Sequence, residues 1–333
     1  MIISIICMEK MNNLKYLYIL TSDINDLYLE QTLLSISSLR KHTKNSFISI
    51  LTDNITFETI QNDCNRNNFL KLVDDLKIVN TPLDKSKKYR SRWLKTSMRK
   101  HVNGDFLFLD SDTVIASNLK FNKNLNLAAV LDIHTTLNYR FKNLNYRNFH
   151  TTRDKQCGFI TASEKYFNSG VIFCRDIPEN HIFFEHWHKF WQHGTEKDVI
   201  EDQPSFSMAN LSLGNIISEL DGTWNCQLVR HGLFYLPNAK IIHYYNSVNN
   251  EKRYLFSRKQ LHENIKKNGN IPLNIKKFIN HPRSAFLLRS NRNDYDFINQ
   301  IFFFILIIIT SHPINYIFQI LNSLKKNKHF HYL

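Results

Sequence analysis

From residue 15 to residue 115 the sequence alternates short apolar runs with amphipathic stretches, at a spacing that points to one kind of layered fold. KYLYILTS (15–22), SFISILTD (46–53), LKIVN (76–80) and DFLFLDSDTVI (105–115) read as strands. Between them, LYLEQTLLSISSLRKH (27–42), a stretch near 56–64 and the basic SKKYRSRWLKTSMRKHV (86–102) read as helices. Strand alternating with helix at this spacing builds a mostly parallel α/β sheet. Ligands of such sheets bind beyond the carboxyl ends of the strands. Two polar groups stand at such ends: Thr21-Ser22-Asp23 after the first strand, and Asp110-Ser111-Asp112 after the fourth.

Further along, LAAVLDI (127–133) and YFNSGVIFCRD (166–176) read as strands, and NHIFFEHWHKFWQHG (180–194) as a helix with an aromatic face. His181, His186, His188 and His193 fall on that helix. Their interleaving with Phe183, Phe184, Trp187, Phe190 and Trp191 makes them part of a packed amphipathic helix rather than a metal cluster. The polar, aromatic stretch 135–155 is long for a loop inside a compact domain, which marks it as functional or mobile. Trp224, in DGTWN, is either a core residue or a stacking platform for a sugar ring.

A buried strand that delivers two carboxylates to a sheet edge needs a partner for their charge. Three readings follow. The two acids cap a turn; or they are the nucleophile and general acid of a D-x-D phosphatase of haloacid-dehalogenase type, whose pattern FLFLDSDTVI satisfies; or they hold a hard divalent cation that bridges to a diphosphate. The phosphatase motif usually opens its domain, whereas here about a hundred residues of α/β sequence precede it. No later acidic pair with Gly-Asp follows to complete that metal site.

The surrounding landmarks favour the third reading. From about Tyr16 to Tyr245 the chain resembles GT-A-fold glycosyltransferases, particularly family 8 and its bacterial relatives. The likeness is carried by TSDINDLYLEQTLLSI, SRWLKTSM, DFLFLDSDTVI, YFNSGVIFCR, EDQPSF and IIHYY, in the family's order. After His243 the chain departs from it, reading YYNSVNNEKRY where the family pattern continues H-x-G-x-x-K-P-W.

The resemblance implies a GT-A (Rossmann-like) fold over residues 14–250, with a central mixed, mostly parallel sheet. It also implies transfer of a sugar from a nucleotide-diphosphate donor, a UDP-hexose in the first instance, to a glycan or lipid-linked acceptor of cell-surface polysaccharide or lipopolysaccharide biosynthesis. Asp110, Asp112 and His243 are the expected ligands of Mn²⁺ or Mg²⁺, and Ser111, between the acids, is expected with them at the nucleotide-sugar donor. Thr21, Ser22 and Asp23 are expected at the nucleoside; the alternative for Ser22 and Asp23 is a helix N-cap. Arg92 and Lys95, three apart on one helical face, can point at one anionic target, unless they belong to a solvated basic face with Lys87, Lys88, Arg90, Arg99 and Lys100. Asn168, Asp202 and Gln203 carry groups suited to sugar hydroxyls, against turn chemistry for Asn168 and helix capping for Asp202. The expected catalytic set is therefore Asp202, Asn168, Gln203 and Arg92.

Charge is distributed unevenly. The chain of 333 residues carries a net +14, and residues 251–333 hold 14 Lys and Arg against 4 Asp and Glu, or +10 of that total. A basic tail suits an anionic partner, nucleic acid or membrane. No nucleic-acid-binding module is recognisable, so a non-enzymatic basic nucleic-acid-binding protein stays the outside alternative and no nucleic acid is expected. In FINQIFFFILIIITSHPINYIFQILNSLKKNKHFHYL the apolar run is continuous only over Ile301–Ile309 and is broken at Ser311, His312 and Pro313, short of the ~20 residues a span needs. Residues 251–333 are thus expected to be a helical extension lying in an anionic interface, on the inner face of the cytoplasmic membrane. The alternative is a helix packed on the core. Five scattered cysteines (Cys7, Cys64, Cys157, Cys174, Cys226) without a C-x-x-C pair suit a reducing cytoplasm. The opening MIISIICMEK lacks the leading positive charge and cleavage site of a signal peptide, and reads as a frayed extension or a start placed upstream of Met11.

Overall fold

The computed structural model describes residues 14–120, 124–140, 142, 152–159, 164–228, 230–245 and 254–287. The sequence expectations for strands β1 (Lys15–Leu20), β2 (Phe47–Asp53) and β3 (Asp75–Val79) hold to within two residues at each end, whereas the fourth, β4 (Phe106–Leu109), stops before the two acids instead of running on to residue 115. Helices α1 (Tyr28–His42), α2 (Asn54–Gln61), α3 (Cys64–Asn67) and α4 (Lys87–His101) join them. The N-termini of several helices are closed by side chains just outside them, which satisfies otherwise orphaned N–H groups. Asp53 accepts from the Thr56 amide ahead of α2, Asp63 from Asn65 and Arg66 ahead of α3, and Ser86 from Tyr89 ahead of α4.

The seven-stranded sheet runs β3-β2-β1-β4-β7-β6-β8, with β6 at Leu127–Leu131, β7 at Phe167–Cys174 and β8 at Ser218–Glu219. All the pairings are parallel except those of β7, which lies antiparallel to both β4 and β6. The fold is therefore mixed α/β with a mostly parallel sheet, as expected. A second, three-stranded sheet, β5-β10-β9, is formed by Thr113–Ile115, Ile241–His243 and Cys226–Gln227. Only three residues separate β4 from β5, so the chain passes from the large sheet into the small one through Asp110-Ser111-Asp112.

Helices α4 and α6 (Pro178–Thr195) cover one face of the large sheet, with α7 (Gln203–Ser212) packed on α6. The aromatic face predicted for α6 is the core face: Phe183, Phe184, Trp187 and Trp191 are buried. Trp187 lies against Phe206 of α7 with ring centroids 4.6 Å apart. The four histidines of this helix turn to separate partners, His181 to Asp176, His186 to Ser212, His188 to Thr96 and His193 to the Cys157 carbonyl. Within the expected loop 135–155, Leu137–Arg140 form a short helix, α5.

The boundary expected at residue 250 is not a break in packing. Helices α8 (Lys259–Asn268), α9 (Leu273–Asn280) and α10 (Pro282–Leu287) belong to the same compact unit as the sheet. Their buried residues Leu261, Ile265, Ile275 and Ile279 lie on one side of each amphipathic helix, and α8 and α9 both pack against α1. Polar contacts fix the dock: Asn65 Nδ2 donates to the Lys267 carbonyl (3.0 Å), and His42 Nε2 meets the Ile279 carbonyl (2.8 Å). Gly269 ends α8 in the left-handed region (φ 64°) and faces the Asn65 backbone, where a Cβ would sit 3.1 Å from Cα; only glycine combines that backbone with that approach. The expected tail beyond residue 287, including the apolar run Ile301–Ile309, lies outside the described residues. Among the described residues no helix is long and apolar enough to cross a membrane.

Candidate active site

The register of the two sheets assembles the acids. In the large sheet the Asp110 amide donates to the Gly170 carbonyl (2.8 Å), which sets Gly170 of β7 beside Asp110. In the small sheet β10 runs antiparallel to β5 with His243 opposite Thr113, and the Tyr244 amide donates to the Asp112 carbonyl (3.1 Å). Thr113 Oγ1 closes the turn between the sheets by donating to the Asp110 carbonyl (2.8 Å). Single ligand atoms of Asp110, Asp112 and His243 consequently lie within 4.8 Å of one another. This is the one such grouping of His, Cys, Asp and Glu among the described residues.

Three observations show that this set fits a divalent cation. Two carboxylates and an imidazole are the donor chemistry of Mn²⁺. His243 Nε2 points at Asp112 Oδ1 across 3.1 Å. Gly170 leaves a cradle between the ligands, since a Cβ there would stand 2.5 Å from His243 Cε1 and 2.8 Å from Asp110 Oδ2. Burial opposes charge on His243, but the adjacent Asp112 carboxylate outweighs it and raises the pKa above the usual 6.5.

The triad opens onto a cleft of about 340 Å³ at the carboxyl ends of β1 and β4. One wall is α4, which presents Lys87, Lys88, Ser91, Arg92 and Lys95. Lys95 is buried, its Nζ 3.1 Å from Asp110 Oδ1, 3.2 Å from Asp202 Oδ2 and 5.1 Å above the Phe108 ring. Arg92 Nε lies 2.8 Å from Asp202 Oδ1. Arg92 and Lys95 therefore share one target, and that target is Asp202.

Asp202 precedes α7 without capping it. Its carboxylate instead receives the Ser169 hydroxyl (2.7 Å), and its carbonyl receives the Trp187 indole N–H (3.0 Å). Burial would raise the Asp202 pKa, but Lys95, Arg92 and the Ser169 hydroxyl overcome it and hold the carboxyl far below the usual range. Gln203 also lines the cleft. Asp202 is thus an ionised carboxylate, held in place on a wall that is otherwise basic.

At the other end, Thr21, Tyr28 and Gln31 line the cleft, and Ser22 and Asp23 do not. Ser22 Oγ donates to Asp26 and accepts from Arg66, while Asp23 pairs with Lys87 Nζ (2.7 Å). Neither caps α1, whose N-cap residue is Leu27. Their side chains hold the β1–α1 loop against α3 and α4.

Asn168 stands at the cleft, but its amide is saturated. Its Oδ1 accepts from the Gly170 amide (2.9 Å) and Asn225 Nδ2 (2.8 Å), and its Nδ2 donates to Asp132 and to the Tyr245 hydroxyl, both at 2.9 Å. An amide has no more than these four places, which leaves none for a sugar hydroxyl. Trp224 is buried under Lys240 and is absent from the cleft lining.

Tyr245 and Asn225 are the residues sequence reasoning passed over. Tyr245 stacks on His243 with ring centroids 4.1 Å apart, and Asn225 meets His243 Nδ1 at 3.1 Å. Eighteen residues separate Asn225 from His243, and only the parallel β9–β10 pairing brings them together. A DGTWNCQ segment carries no local signal of that.

Neither a protein-family model nor any curated protein matches the sequence. Among solved structures, the chain is similar to mouse xyloside xylosyltransferase 1 in its apo form: 16% identity, 69% of this chain and 97% of that one, TM-score 0.44. It is similar also to the galactosyltransferase LgtC in complex with donor and acceptor sugar analogues, at 12% identity over 79% of this chain and 99% of that one, TM-score 0.47. The apo glycosyltransferase GlyE of Streptococcus pneumoniae TIGR4 matches at 17% identity over 85% and 66%, TM-score 0.42. Likeness of this size leaves the function to the chemistry of the site.

Proposed function

We propose that this protein is a metal-dependent glycosyltransferase of GT-A type, taking a sugar from a nucleoside-diphosphate donor. The observation that carries the proposal is the union, at the sheet edge, of the Asp110–Asp112–His243 ligand set with the basic wall of α4 and the ionised Asp202. Asp110, Asp112 and His243 would hold Mn²⁺ or Mg²⁺. When bound, such an ion supplies Lewis-acid stabilisation of charge on a departing diphosphate.

The protein's own groups divide the remaining work. Lys87, Lys88 and Arg92, paired with Asp23 and Asp26, with Glu201 and with Asp202 respectively, line the wall that a bound diphosphate would face. Thr21, Tyr28 and Gln31 stand at the end where the nucleoside belongs, with uridine the nucleoside to try first. Asp202 is kept ionised by Lys95 and Arg92, and offers a fixed acceptor for hydroxyls of the donor sugar, with Gln203 beside it. A D-x-D phosphatase would use a second acidic group to complete its metal site; the third group here is an imidazole.

The acceptor is a glycan or a lipid-linked glycan at the inner face of the cytoplasmic membrane. Support for that part is the basic, apolar sequence after residue 250, where each Lys or Arg near an anionic surface adds about 1 kcal/mol. Full-length protein is expected to sediment with anionic vesicles and to be released by high salt. Vesicle-independent behaviour would remove the membrane from the proposal.

The deciding experiment is a panel of nucleotide sugars, UDP-hexoses first, assayed for Mn²⁺-dependent hydrolysis without acceptor. Calorimetry with UDP and Mn²⁺ accompanies it for wild type, Asp110→Asn and Asp112→Asn. Both variants are expected to fold and to lose metal-dependent binding. Undiminished binding in both would end the metal role.

A further inference from the structure

We propose that Asn225 and Asn168 are positioning residues that hold His243 in the tautomer whose Nε2 lone pair faces the cation site. The inference rests on the metal-dependent reading above, but it follows from hydrogen-bond bookkeeping that begins at the backbone. The Gly170 N–H is a donor and nothing else, so the Asn168 atom it meets at 2.9 Å is the amide oxygen. The opposite end of that amide meets an Asp132 carboxylate oxygen at 2.9 Å, which requires the NH₂ group there. Both ends of Asn168 are thereby assigned without appeal to Asn225 or Tyr245.

The second lone pair of Asn168 Oδ1 takes a hydrogen bond from Asn225 at 2.8 Å, which makes that Asn225 atom the nitrogen. The Asn225 oxygen is then the atom 3.1 Å from His243 Nδ1. An amide oxygen only accepts, so Nδ1 carries the hydrogen. In the neutral ring Nε2 is left with its lone pair, aimed at Asp112 Oδ1 across 3.1 Å. Two acceptors held face to face are satisfied by a proton on Nε2 or by a cation bound between or beside them. Outer partners of this kind fix both tautomer and ring direction in metal-ligating histidines.

The ring's face is held by the same network. Tyr245, stacked on His243, accepts from Asn168 Nδ2 at 2.9 Å and donates to Gln227 Oε1 at 3.0 Å. Gln227 is itself assigned by the backbone: its Nε2 donates to the Leu131 carbonyl, and its Oε1 accepts from the Ile133 amide. The network thus starts and ends on main-chain groups of the large sheet and its margin. It gives Asn168, saturated and buried, a role that contact with sugar would not.

The test is nitrogen NMR on metal-free, full-length protein labelled at histidine, at a pH high enough for the ring to be neutral, with His243 assigned by its loss in His243→Asn. Wild type is expected to show the Nδ1–H tautomer. In Asn225→Leu that signature should give way to Nε2–H or a mixture, and Mn²⁺ affinity by calorimetry should fall about 10- to 100-fold. Asn225→Asp, which keeps an acceptor at Nδ1, should keep the Nδ1–H tautomer. An Nε2–H tautomer in wild type overturns the proposal, as does a folded Asn225→Leu with unchanged tautomer and unchanged Mn²⁺ affinity. Should Asn225→Leu fail to fold, the wild-type spectrum alone decides. Wild type that shows the Nδ1–H tautomer, loses it in Asn225→Leu, yet binds no Mn²⁺ supports the relay and overturns the metal reading instead.

Discussion

Gly170→Ala is the smallest change that tests whether the cradle at the sheet edge holds a cation. Its backbone is not in the left-handed region, so alanine brings no conformational strain of its own; the cost is steric. The new Cβ would lie 2.5 Å from His243 Cε1, 2.8 Å from Asp110 Oδ2 and 2.9 Å from Asn168 Oδ1, roughly 1 Å inside the 3.4 Å of ordinary contact in the worst case. None of these neighbours is the loose end of a flexible side chain. His243 is buried, stacked on Tyr245 and bonded to Asn225, while the Asp110 backbone is tied to Gly170 by a ladder hydrogen bond. Overpacking of this kind costs about 1–3 kcal/mol of stability, which a domain of this size should survive. Metal coordination is less forgiving, because ligand distances are fixed to about 0.2 Å, several times less than the shift required. The expected result is a cooperatively folded variant, measured by circular dichroism melting, whose Mn²⁺ affinity by calorimetry or EPR falls at least 10- to 100-fold, with loss of Mn²⁺-dependent UDP binding. A folded Gly170→Ala that binds Mn²⁺ as wild type does would refute the assignment of this cradle.

Asp202→Asn removes the charge that Lys95 and Arg92 share; turnover should fall by about 100-fold or more while UDP affinity barely changes, and a matching collapse of UDP affinity would move Asp202 to the nucleotide. Asp53 both caps α2 and pairs with buried Arg90 at 2.6 Å, so Asp53→Ala should lower unfolding stability by about 3–5 kcal/mol in urea titration; a loss under 1 kcal/mol would show the pair to be dispensable. His262 is buried and held to about pH 4 by that burial against the opposing Phe256 carbonyl. Its folded pKa is depressed, so the stability it contributes is present above 6.5 and lost as pH falls towards 4, roughly 3 kcal/mol in all; His262→Gln should flatten that part of the pH profile, and an unchanged profile would contradict it. Because the His243 pKa is raised, protons should compete with Mn²⁺ from above pH 6.5 downward, by up to about tenfold per pH unit; an affinity flat across that window would exclude the imidazole as a ligand.

Local sequence determined the elements. The apolar runs at 15–20, 47–53 and 106–109 can be satisfied only by burial, and the helical periods between them leave a parallel sheet as the arrangement that covers both faces. The position of Asp110 and Asp112 at a strand end is a local fact as well, since the two acids stop the run FLFL. The aromatic face of α6 was likewise legible, because helical spacing alone decides which side its rings share.

Tertiary structure decided what those residues meet. Asp202 looks like a helix cap in sequence, yet two cations on α4 and a hydroxyl on β7 turn its carboxylate away from the helix it precedes. Ser22 and Asp23 look like nucleoside contacts, but Arg66 and Lys87 draw them into the loop's own support. Asn168 looks like a sugar ligand, and its amide is used up by Gly170, Asn225, Asp132 and Tyr245. The reason is common to all of these. A polar side chain commits its few hydrogen bonds to whichever partners strand register brings within about 3 Å. Register between β9 and β10, or β4 and β7, is set by residues far apart in the chain. The docking of α8 and α9 on α1 was hidden for a related reason: their charge reads as a basic tail, while the narrow stripe that buries Leu261, Ile265, Ile275 and Ile279 acquires meaning only against the helix it covers.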